Sequence, residues 1–533
     1  MVARHEACTL PPASRRLSIL SRWCTHLTLR HETLLAGSGA LLLLAGIILM
    51  ARSDGSMRDT RIAGAAVRVL EPERPPAAGS AVVFHGLSSN RILMQQLGRW
   101  LAAQGFRVYL VDAPGHGDTP GVFTHAATLD TYIRILSELQ RNSGSSGDKT
   151  EALDPQTTII VGHSMGGEMA VRLADYFPVA ATIVFAPAPM VLPRRMPANL
   201  LIIGAQFDLA PMQESAGELL QAAGGSRTTP EDFQQRRAAN GITVPWTAHG
   251  SLVLDWRAAK AMASWARAAI SLTGPVEMPA GYPLTAEILG IVGICLLFPL
   301  ATTGIVQMFH ANFAEEQRPV RLSIAALIAR WCVAALLALS IVSLWYPKRL
   351  FPFYGGGYLA CFLLFAGIGV ALLFRKQLRG VFDHGYRPVL AAAVLGLLVL
   401  LGLGAWLNWE LTEMLWISGV RWIYFVPLFL ANLPYAMAEE AALGPPAASR
   451  RVRRFGTFII LRLILWLALL AGILILLSGQ VLMALLLPLL AAVSLGQRLG
   501  ADAIRRRTGS GAAAAIFSAI LAAWFVAAVF PLS

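Results

Sequence analysis

The sequence predicts two unlike parts, an α/β domain with a doubly wound, mostly parallel sheet and an all-α domain that crosses a membrane many times. Residues 52–283 alternate short apolar runs with helical stretches, whereas residues 284–533 are long apolar segments joined by short loops. Hydrophobic residues make up 56% of the chain and charged residues only 14%, well below the usual quarter. A composition of this kind indicates membrane spans.

The N-terminal region reads as a basic arm followed by a membrane anchor. Residues 1–32 are polar and basic, and residues 33–51 are almost entirely apolar, near the lower length limit for a spanning helix. A cleaved signal peptide is the alternative. The long basic segment and the lack of a clear Ala-x-Ala cleavage site favour an uncleaved anchor, with the arm in the cytoplasm.

The α/β domain is expected to span residues 52–283. Its β-rich runs are residues 81–85, 107–112, 157–161, 181–186, 200–204 and 242–246. Helical stretches such as 90–104 and 125–141 separate them. Continuous apolar strands that alternate with helices predict a parallel sheet covered on both faces. The connection 187–199 is short, which leaves little room for an inserted domain.

The C-terminal domain, residues 284–533, is expected to contain about eight transmembrane helices. The apolar segments lie near residues 284–304, 322–344, 356–374, 388–407, 416–437, 456–477, 480–496 and 512–531. Only Ser478-Gly479 separates the sixth segment from the seventh. With the anchor, the total is nine spans.

The basic residues of the loops predict the orientation. With a cytoplasmic N-terminus, the outer loops hold only Lys348 and Arg349. The inner loops then hold Arg318, Arg321, Arg375, Lys376, Arg379, Arg387, Arg450, Arg451, Arg453, Arg454, Arg498, Arg505, Arg506 and Arg507. This bias predicts a multi-pass protein of the inner or plasma membrane, with the α/β domain and the C-terminus outside the cytoplasm.

Charge and cysteine content exclude several classes of protein. The net charge is +13, but residues 52–283 hold 20 basic and 20 acidic residues, so we expect no nucleic-acid partner. The cysteines are Cys8, Cys24, Cys295, Cys332 and Cys361. None lies in the α/β domain and none is spaced like a metal ligand pair. We therefore expect no disulfide framework there, no metal and no cofactor.

Charged residues also lie within or near the expected spans, among them Arg421 and Arg462. Charge in lipid is costly and is often functional. Because most of these residues lie near segment ends, we expect snorkelling to the surface. Glu413 is the expected partner of Arg421 if that arginine is instead functional.

Gly162-His163-Ser164-Met165-Gly166 follows an apolar strand and precedes a helical stretch at 167–176. This is the context of a nucleophile elbow, in which small residues let the strand and helix approach while the serine projects above the sheet. The alternative is a glycine-rich turn with an incidental serine. We therefore predict that Ser164 is a catalytic nucleophile.

A serine hydroxyl needs a base, and the base needs an orienting acid. Between Ser164 and residue 284 there is a single histidine, His249, which follows the run 242–246. Asp208 follows the preceding strand and is the expected acid. The alternatives are a strand-end cap for Asp208 and a surface loop position for His249. Asp255 is a spare acid, although it lies after the histidine and in a helix.

The oxyanion of an acyl-transfer reaction needs hydrogen-bond donors. We expect the N–H groups of Met165, directly after the nucleophile, and of Leu87, in the loop after the strand 81–85. Gly86 would allow the tight turn. His85 is expected to order that loop.

Together these motifs resemble the α/β-hydrolase superfamily, in particular its compact esterase, lipase and thioesterase-like members. The resemblance covers residues 65–270. It rests on His85-Gly86, Asp112-Ala113-Pro114-Gly115-His116-Gly117, Gly162–Gly167, Asp208 and His249. It implies an eight-strand-type sheet, a Ser-His-Asp triad and hydrolysis of an ester, thioester or amide without a cofactor. The chain departs from the pattern in its minimal cap region, so we expect a site that is open on that side.

The prediction is a membrane-anchored serine hydrolase that cleaves an ester or thioester of a hydrophobic or lipid-like substrate through an acyl-enzyme on Ser164. Tethering would concentrate a lipid-borne substrate near the site. One alternative is an acyltransferase with the same triad. Another is a non-catalytic membrane scaffold or transporter with a hydrolase-like domain.

Overall fold

The computed structural model describes residues 33–52, 56–72, 77–141, 153–281, 283–311, 323–347, 349–378, 385–409, 415–446, 451–475 and 482–533. The expected basic arm at 1–32 and Glu413 lie outside these residues. An N-terminal helix, α1 (Thr33–Arg52), precedes an α/β domain at residues 57–269 and a helical region at residues 283–533.

The α/β domain is built on one eight-stranded sheet. The strands are β1 (Met57–Ile62), β2 (Ala65–Leu70), β3 (Gly79–Phe84), β4 (Phe106–Val111), β5 (Thr158–His163), β6 (Ala181–Phe185), β7 (Leu200–Phe207) and β8 (Ala239–Ala248). Their order is β1-β2-β4-β3-β5-β6-β7-β8. Strand β2 is antiparallel to β1 and β4, and the other neighbours are parallel. The predicted, mostly parallel sheet is confirmed, and the pattern missed only the β1–β2 hairpin.

Helices cover both faces of this sheet. They are α2 (Gln95–Ala103), α3 (His125–Arg141), α4 (Met165–Arg172), α5 (Ala210–Ala222), α6 (Pro230–Gln234) and α7 (Trp256–Ala269). Successive side chains of a strand point to opposite faces. In β3, Val83 therefore packs in the apolar cluster with α2 and α7, and Phe84 in the cluster with α3 and α4. This double coverage buries the strands and leaves their carboxyl ends to carry polar groups.

A buried ion pair ties together the loops that follow β3 and β4. The Asp112 side chain is fully buried and accepts hydrogen bonds from the Arg91 guanidinium and from the Arg91 backbone N–H, the latter at 2.7 Å. The Asp118 N–H also donates to Asp112, at 3.0 Å. The Arg91 guanidinium also forms a salt bridge with Asp118, at 2.7 Å. Burial by itself would lower the pKa of Arg91, but Asp112 and Asp118 outweigh it and raise that pKa.

The helical region consists of long helices and short connecting ones. They are α8 (Pro283–Met308), α9 (Ile324–Leu344), α10 (Gly356–Leu373), α11 (Arg375–Leu378), α12 (Tyr386–Trp409), α13 (Arg421–Leu443), α14 (Arg451–Ile475), α15 (Leu482–Leu485), α16 (Leu487–Thr508) and α17 (Gly511–Val529). Among the described residues, seven helices are long and apolar enough to cross a membrane: α1, α8, α9, α10, α12, α14 and α17. Helices α13 and α16 match two further expected segments and carry buried charges. The total of nine spans stays a prediction.

Those buried charges form one cluster, which joins α13, α14 and α16. Glu439 pairs with Arg462 at 2.7 Å. Glu440 pairs with Arg498 and Arg505, both at 2.6 Å, and with Arg454 at 3.4 Å. The side chain of Arg462 is only 9% exposed. Snorkelling was therefore the wrong interpretation for Arg462, because its partner is a carboxylate inside the bundle.

We predict that Arg91→Ala lowers the free energy of unfolding by about 3–5 kcal/mol, because it leaves the buried Asp112 carboxylate without its counter-charge. Thermal and urea unfolding of the full-length protein in detergent would measure the loss. The control is Arg58→Ala, which removes a longer pair with Glu71, at 3.8 Å and partly exposed on both sides, and should cost under about 1 kcal/mol. Equal losses for the two variants would contradict a structural role for the Arg91–Asp112 pair.

Candidate active site

Ser164 lies in the sharp turn between β5 and α4. Its backbone has φ 54° and ψ −116°, a region that residues other than glycine rarely adopt. A Cβ at Gly162 would lie 2.1 Å from the Gly166 carbonyl oxygen, and a Cβ at Gly166 would lie 2.4 Å from that of Phe84. Both glycines are therefore required by the packing of the turn. The strained turn places the Ser164 side chain at the N-terminus of α4, as the elbow motif predicts.

Asp208 and His249 meet although they come from different strands. Asp208 directly follows β7, and His249 directly follows β8. The Nδ1 atom of His249 lies 2.9 Å from Oδ1 and 3.0 Å from Oδ2 of Asp208. An Nδ1–H that donates to this carboxylate leaves Nε2 as the basic nitrogen. Within the described part of the chain, the buried Nε2 has no hydrogen-bond partner, so it is available to accept a proton.

The alternative acid, Asp255, has a different task. It caps the N-terminus of α7 by accepting from the backbone N–H groups of Arg257 and Ala258. Its carboxylate also accepts from the Arg257 guanidinium at 2.7 Å. These contacts lower the pKa of Asp255, the Arg257 side chain contributing most. Asp255 is thus engaged at a helix end, and Asp208 is the acid that contacts the imidazole.

His163 has a role that the motif did not reveal. Its Nε2–H donates to the backbone carbonyl of His249 at 3.1 Å, so the Ser164 turn itself holds the loop that carries His249. The two rings lie 4.9 Å apart. Burial, with a smaller contribution from His249, lowers the pKa of His163 to about 3, so this ring is neutral at physiological pH. The only sequence signal for this role was the position of His163, directly before Ser164.

The two expected oxyanion donors belong to segments that adjoin the Ser164 turn. Met165 is the first residue of α4, where a backbone N–H has no partner within the helix. A Cβ at Gly86 would lie 3.1 Å from the Ser164 Cβ, so the loop that carries Leu87 passes directly beside the serine. The helix N-terminus adds partial positive charge to the same place. The arrangement can bind a negatively charged oxygen next to Ser164.

Two further histidines support the Leu87 loop. The Nδ1–H of His85 donates to the Gly86 carbonyl at 2.7 Å, and its Nε2 accepts from the Ala113 N–H at 3.0 Å. The ring of His116 packs against that of His85, 5.0 Å away. Burial lowers the pKa of His85 and lowers that of His116 further. These contacts are those of a neutral loop-ordering residue, the role expected for His85.

The site has the chemical groups for nucleophilic catalysis on a carbonyl compound. Among the residues that the structure describes, no three His, Cys, Asp or Glu side chains converge as a metal site would require. Ser164 is only 4% exposed, and the site open on the cap side that the short 187–199 connection suggests stays a prediction.

We predict that the protein loses stability as the pH falls below about 6.5, the ordinary pKa of histidine, because the unfolded chain then binds a proton at His163 that the folded chain excludes. His163→Gln keeps a donor for the His249 carbonyl but cannot take up that proton. Its melting temperature between pH 7 and 5 should therefore fall less steeply than that of the wild type. Parallel curves for the two proteins would contradict the neutral, buried state of His163.

Comparison with known proteins places the similarity in the α/β domain. A family model for serine aminopeptidases, S33, matches residues 75–235. Methylesterase 4 of Arabidopsis thaliana is 36% identical over 118 residues, which are 22% of this chain and 42% of that protein. A putative non-heme haloperoxidase of Mycobacterium phage D29 is 33% identical over 113 residues, 21% of this chain and 37% of that protein. The chain spans less than half the length of these curated relatives.

Solved structures also align with the chain. The alignment with a Pyrobaculum calidifontis esterase covers 45% of this chain and 93% of the esterase chain, with 15% sequence identity and a TM-score of 0.33. The alignment with a Pyrococcus furiosus esterase covers 40% of this chain and 92% of the esterase chain, with 14% sequence identity and a TM-score of 0.31. The eight-stranded sheet, the elbow at Ser164 and the family match agree with one another. Residues 57–269 therefore have the α/β-hydrolase fold, and residues 75–235 within them are similar to a serine hydrolase family; a region of long apolar helices follows.

Proposed function

We propose that this chain is a membrane-anchored serine hydrolase that cleaves a carboxylic ester or thioester with a hydrophobic or lipid-like acyl group. The observation that carries this proposal is the Asp208–His249 pair, which lies at the same sheet edge as the strained Ser164 turn. Ester cleavage needs a nucleophile, a base and oxyanion donors, and each has a candidate here.

The proposed reaction proceeds in two halves. His249 Nε2 takes the Ser164 hydroxyl proton as Oγ attacks the carbonyl carbon, and the resulting oxyanion accepts hydrogen bonds from the Leu87 and Met165 N–H groups. Asp208 stabilises the imidazolium. The tetrahedral intermediate collapses to an acyl-enzyme, and the alcohol or thiol leaves with the proton from His249. Water then repeats the sequence, giving the free acid and restoring the Ser164 hydroxyl.

Three observations support a membrane location with the hydrolase domain outside the cytoplasm. Seven described helices could span a membrane by length and composition. The loop charges favour a cytoplasmic N-terminus. The backbone at Leu532 bonds to the hydrolase domain at Gly115, so the C-terminus and this domain lie on the same side of the helices, as nine spans require. A tethered domain would meet lipid-borne esters at high local concentration.

We predict that a fluorophosphonate probe labels the full-length protein at Ser164, and that Ser164→Ala abolishes both labelling and hydrolysis of p-nitrophenyl octanoate. Asp208→Asn should lower kcat by about 10³–10⁴-fold, because the imidazole loses the carboxylate that orients it. Asp255→Asn is the matched control and should keep kcat. An unlabelled but folded wild type would favour a binding or scaffold role. An ester product formed only with added alcohol would favour acyl transfer.

The orientation can be tested with cysteine labelling, since the hydrolase domain contains no native cysteine. In a background with the five native cysteines replaced by serine, we introduce Tyr176→Cys, at a position that is 55% exposed. A membrane-impermeant maleimide should label it in sealed, right-side-out vesicles. Val452→Cys, on the expected cytoplasmic side, should react only after permeabilisation. The reverse pattern would contradict the proposed topology.

A further inference from the structure

The loop that follows β4, residues 113–123, is held by the helical region, and we name it the docking loop. Backbone hydrogen bonds join Leu532 N–H to the Gly115 carbonyl at 3.0 Å and Phe123 N–H to the Leu532 carbonyl at 2.7 Å. The Ser418 hydroxyl donates to the Gly117 carbonyl at 2.7 Å. The docking loop is therefore fixed at both of its ends by residues far away in sequence.

Arg421 is the centre of this contact. One guanidinium nitrogen donates to the carbonyls of Ala527, Ala528 and Phe530 at 2.9, 3.1 and 3.0 Å, and the other donates to the Gly115 carbonyl at 2.5 Å. Arg421 is only 4% exposed. Snorkelling was therefore the wrong interpretation for this arginine as well. It neutralises the carbonyl end of α17 and fastens the docking loop to it.

The C-terminal tail, residues 530–533, is itself held in place. Tyr354 N–H donates to the Pro531 carbonyl at 2.9 Å, and Ser533 N–H donates to the Pro352 carbonyl, also at 2.9 Å. Phe353 and Leu532 form a β-bridge. The segment before α10 and the tail therefore form one surface against the hydrolase domain.

An aromatic contact joins this surface to the hydrolase domain. The Tyr354 ring packs edge-on against Phe123, with 5.4 Å between centroids, and Phe123 packs against His116 at 5.3 Å. Tyr354 and Leu87 pack on the same apolar cluster, which contains Met165. The helical region thus contributes a side chain to the apolar cluster on the face of the sheet that also holds Leu87 and Met165.

A series of hydrogen bonds also connects the docking loop to the loop that carries Leu87. The docking loop begins at Ala113, whose N–H donates to His85 Nε2, and His85 in turn donates to the Gly86 carbonyl beside Leu87. A displacement of the docking loop therefore changes the support of the loop that holds the Leu87 N–H. Oxyanion donors act through pre-set geometry, and small displacements of such groups reduce catalysis.

We propose that the helical region completes the active site of the hydrolase. Tyr354 and Phe123 form the wall that receives the acyl chain, which makes Tyr354 a specificity-determining residue. Arg421 and the tail are positioning groups for the oxyanion loop. This inference rests on the proposed hydrolase function and assigns to the helices a role beyond anchoring.

The test of the wall uses the full-length protein in nanodiscs with p-nitrophenyl acetate and p-nitrophenyl octanoate. Tyr354→Ala should lower the ratio of kcat/KM for octanoate over acetate by about tenfold, since it removes apolar surface that only the longer chain reaches. Tyr354→Phe should keep the ratio. The control Tyr176→Ala removes an exposed tyrosine elsewhere on the domain and should also keep it. An unchanged ratio in Tyr354→Ala overturns the role of this wall.

The test of positioning uses Arg421→Met and, in case that variant does not fold, a chain that ends at Pro531. Removing Leu532 and Ser533 deletes both tail bonds to the docking loop without changing the charge of any side chain. We expect kcat per active site, titrated with the fluorophosphonate, to fall about tenfold or more on both esters, with KM for acetate changed less than about twofold. A truncated chain with wild-type kcat per titrated serine overturns the positioning role.

These outcomes are separable from a failure of the proposed function. If the wild-type protein hydrolyses neither ester, or if Ser164→Ala retains the activity, the hydrolase proposal fails and this inference with it. If the wild type is active through Ser164 but Tyr354→Ala and the truncated chain behave like it, only the role of the helical region fails.

Discussion

The carboxylate of Asp112 is fully buried at the end of β4, and a buried charge is tolerated only where it is paired and hydrogen-bonded. Its donors come from two loops: Arg91 from the loop after β3, and the backbone of Asp118 from the loop after β4. Satisfying this one group therefore fixes both loops. One of them carries the oxyanion candidate Leu87, and the other meets the helical region. The oxyanion side of the site and the contact between the two domains both depend on this interaction.

The electrostatics around the nucleophile follow from burial. His163 directly precedes Ser164, and His85 and His116 support the loop beside it. Burial lowers the pKa of each, so none contributes a fixed positive charge. Each serves instead as a neutral hydrogen-bonding or packing group. His249, by contrast, has its Nδ1 within hydrogen-bond distance of the Asp208 carboxylate.

In the helical region, too, buried charges are paired or hydrogen-bonded. Arginines that would be costly in lipid are paired with Glu439 and Glu440, or with the carbonyls at the end of α17. Each pairing joins elements that are far apart in the chain and defines how the helices pack. At the end nearest to the hydrolase domain, Arg421 makes a separate contact, which joins the carbonyl end of α17 to the docking loop. The packing of the helices and the geometry of the proposed active site are thus physically connected.

The sequence by itself determined the features that depend on short stretches of chain. The parallel sheet follows from continuous apolar runs, and the elbow follows from glycines placed where any Cβ would collide with the backbone. The candidates Asp208 and His249 follow from their positions at strand ends. Their roles in catalysis, like those of Leu87 and Met165, stay predictions until the serine and its partners are tested.

Only the tertiary structure decided the contacts between distant residues. His163 supports a carbonyl 86 positions away, and Arg421 binds one 306 positions away. The local pattern placed Arg421 and Arg462 at water-facing segment ends, and both are buried. The reason is that burial and pairing depend on which elements pack together, which a periodic pattern along one segment does not specify. The contact between the helical region and the docking loop was missed for the same reason, because Tyr354 and Leu532 reach that loop only once the helices are assembled.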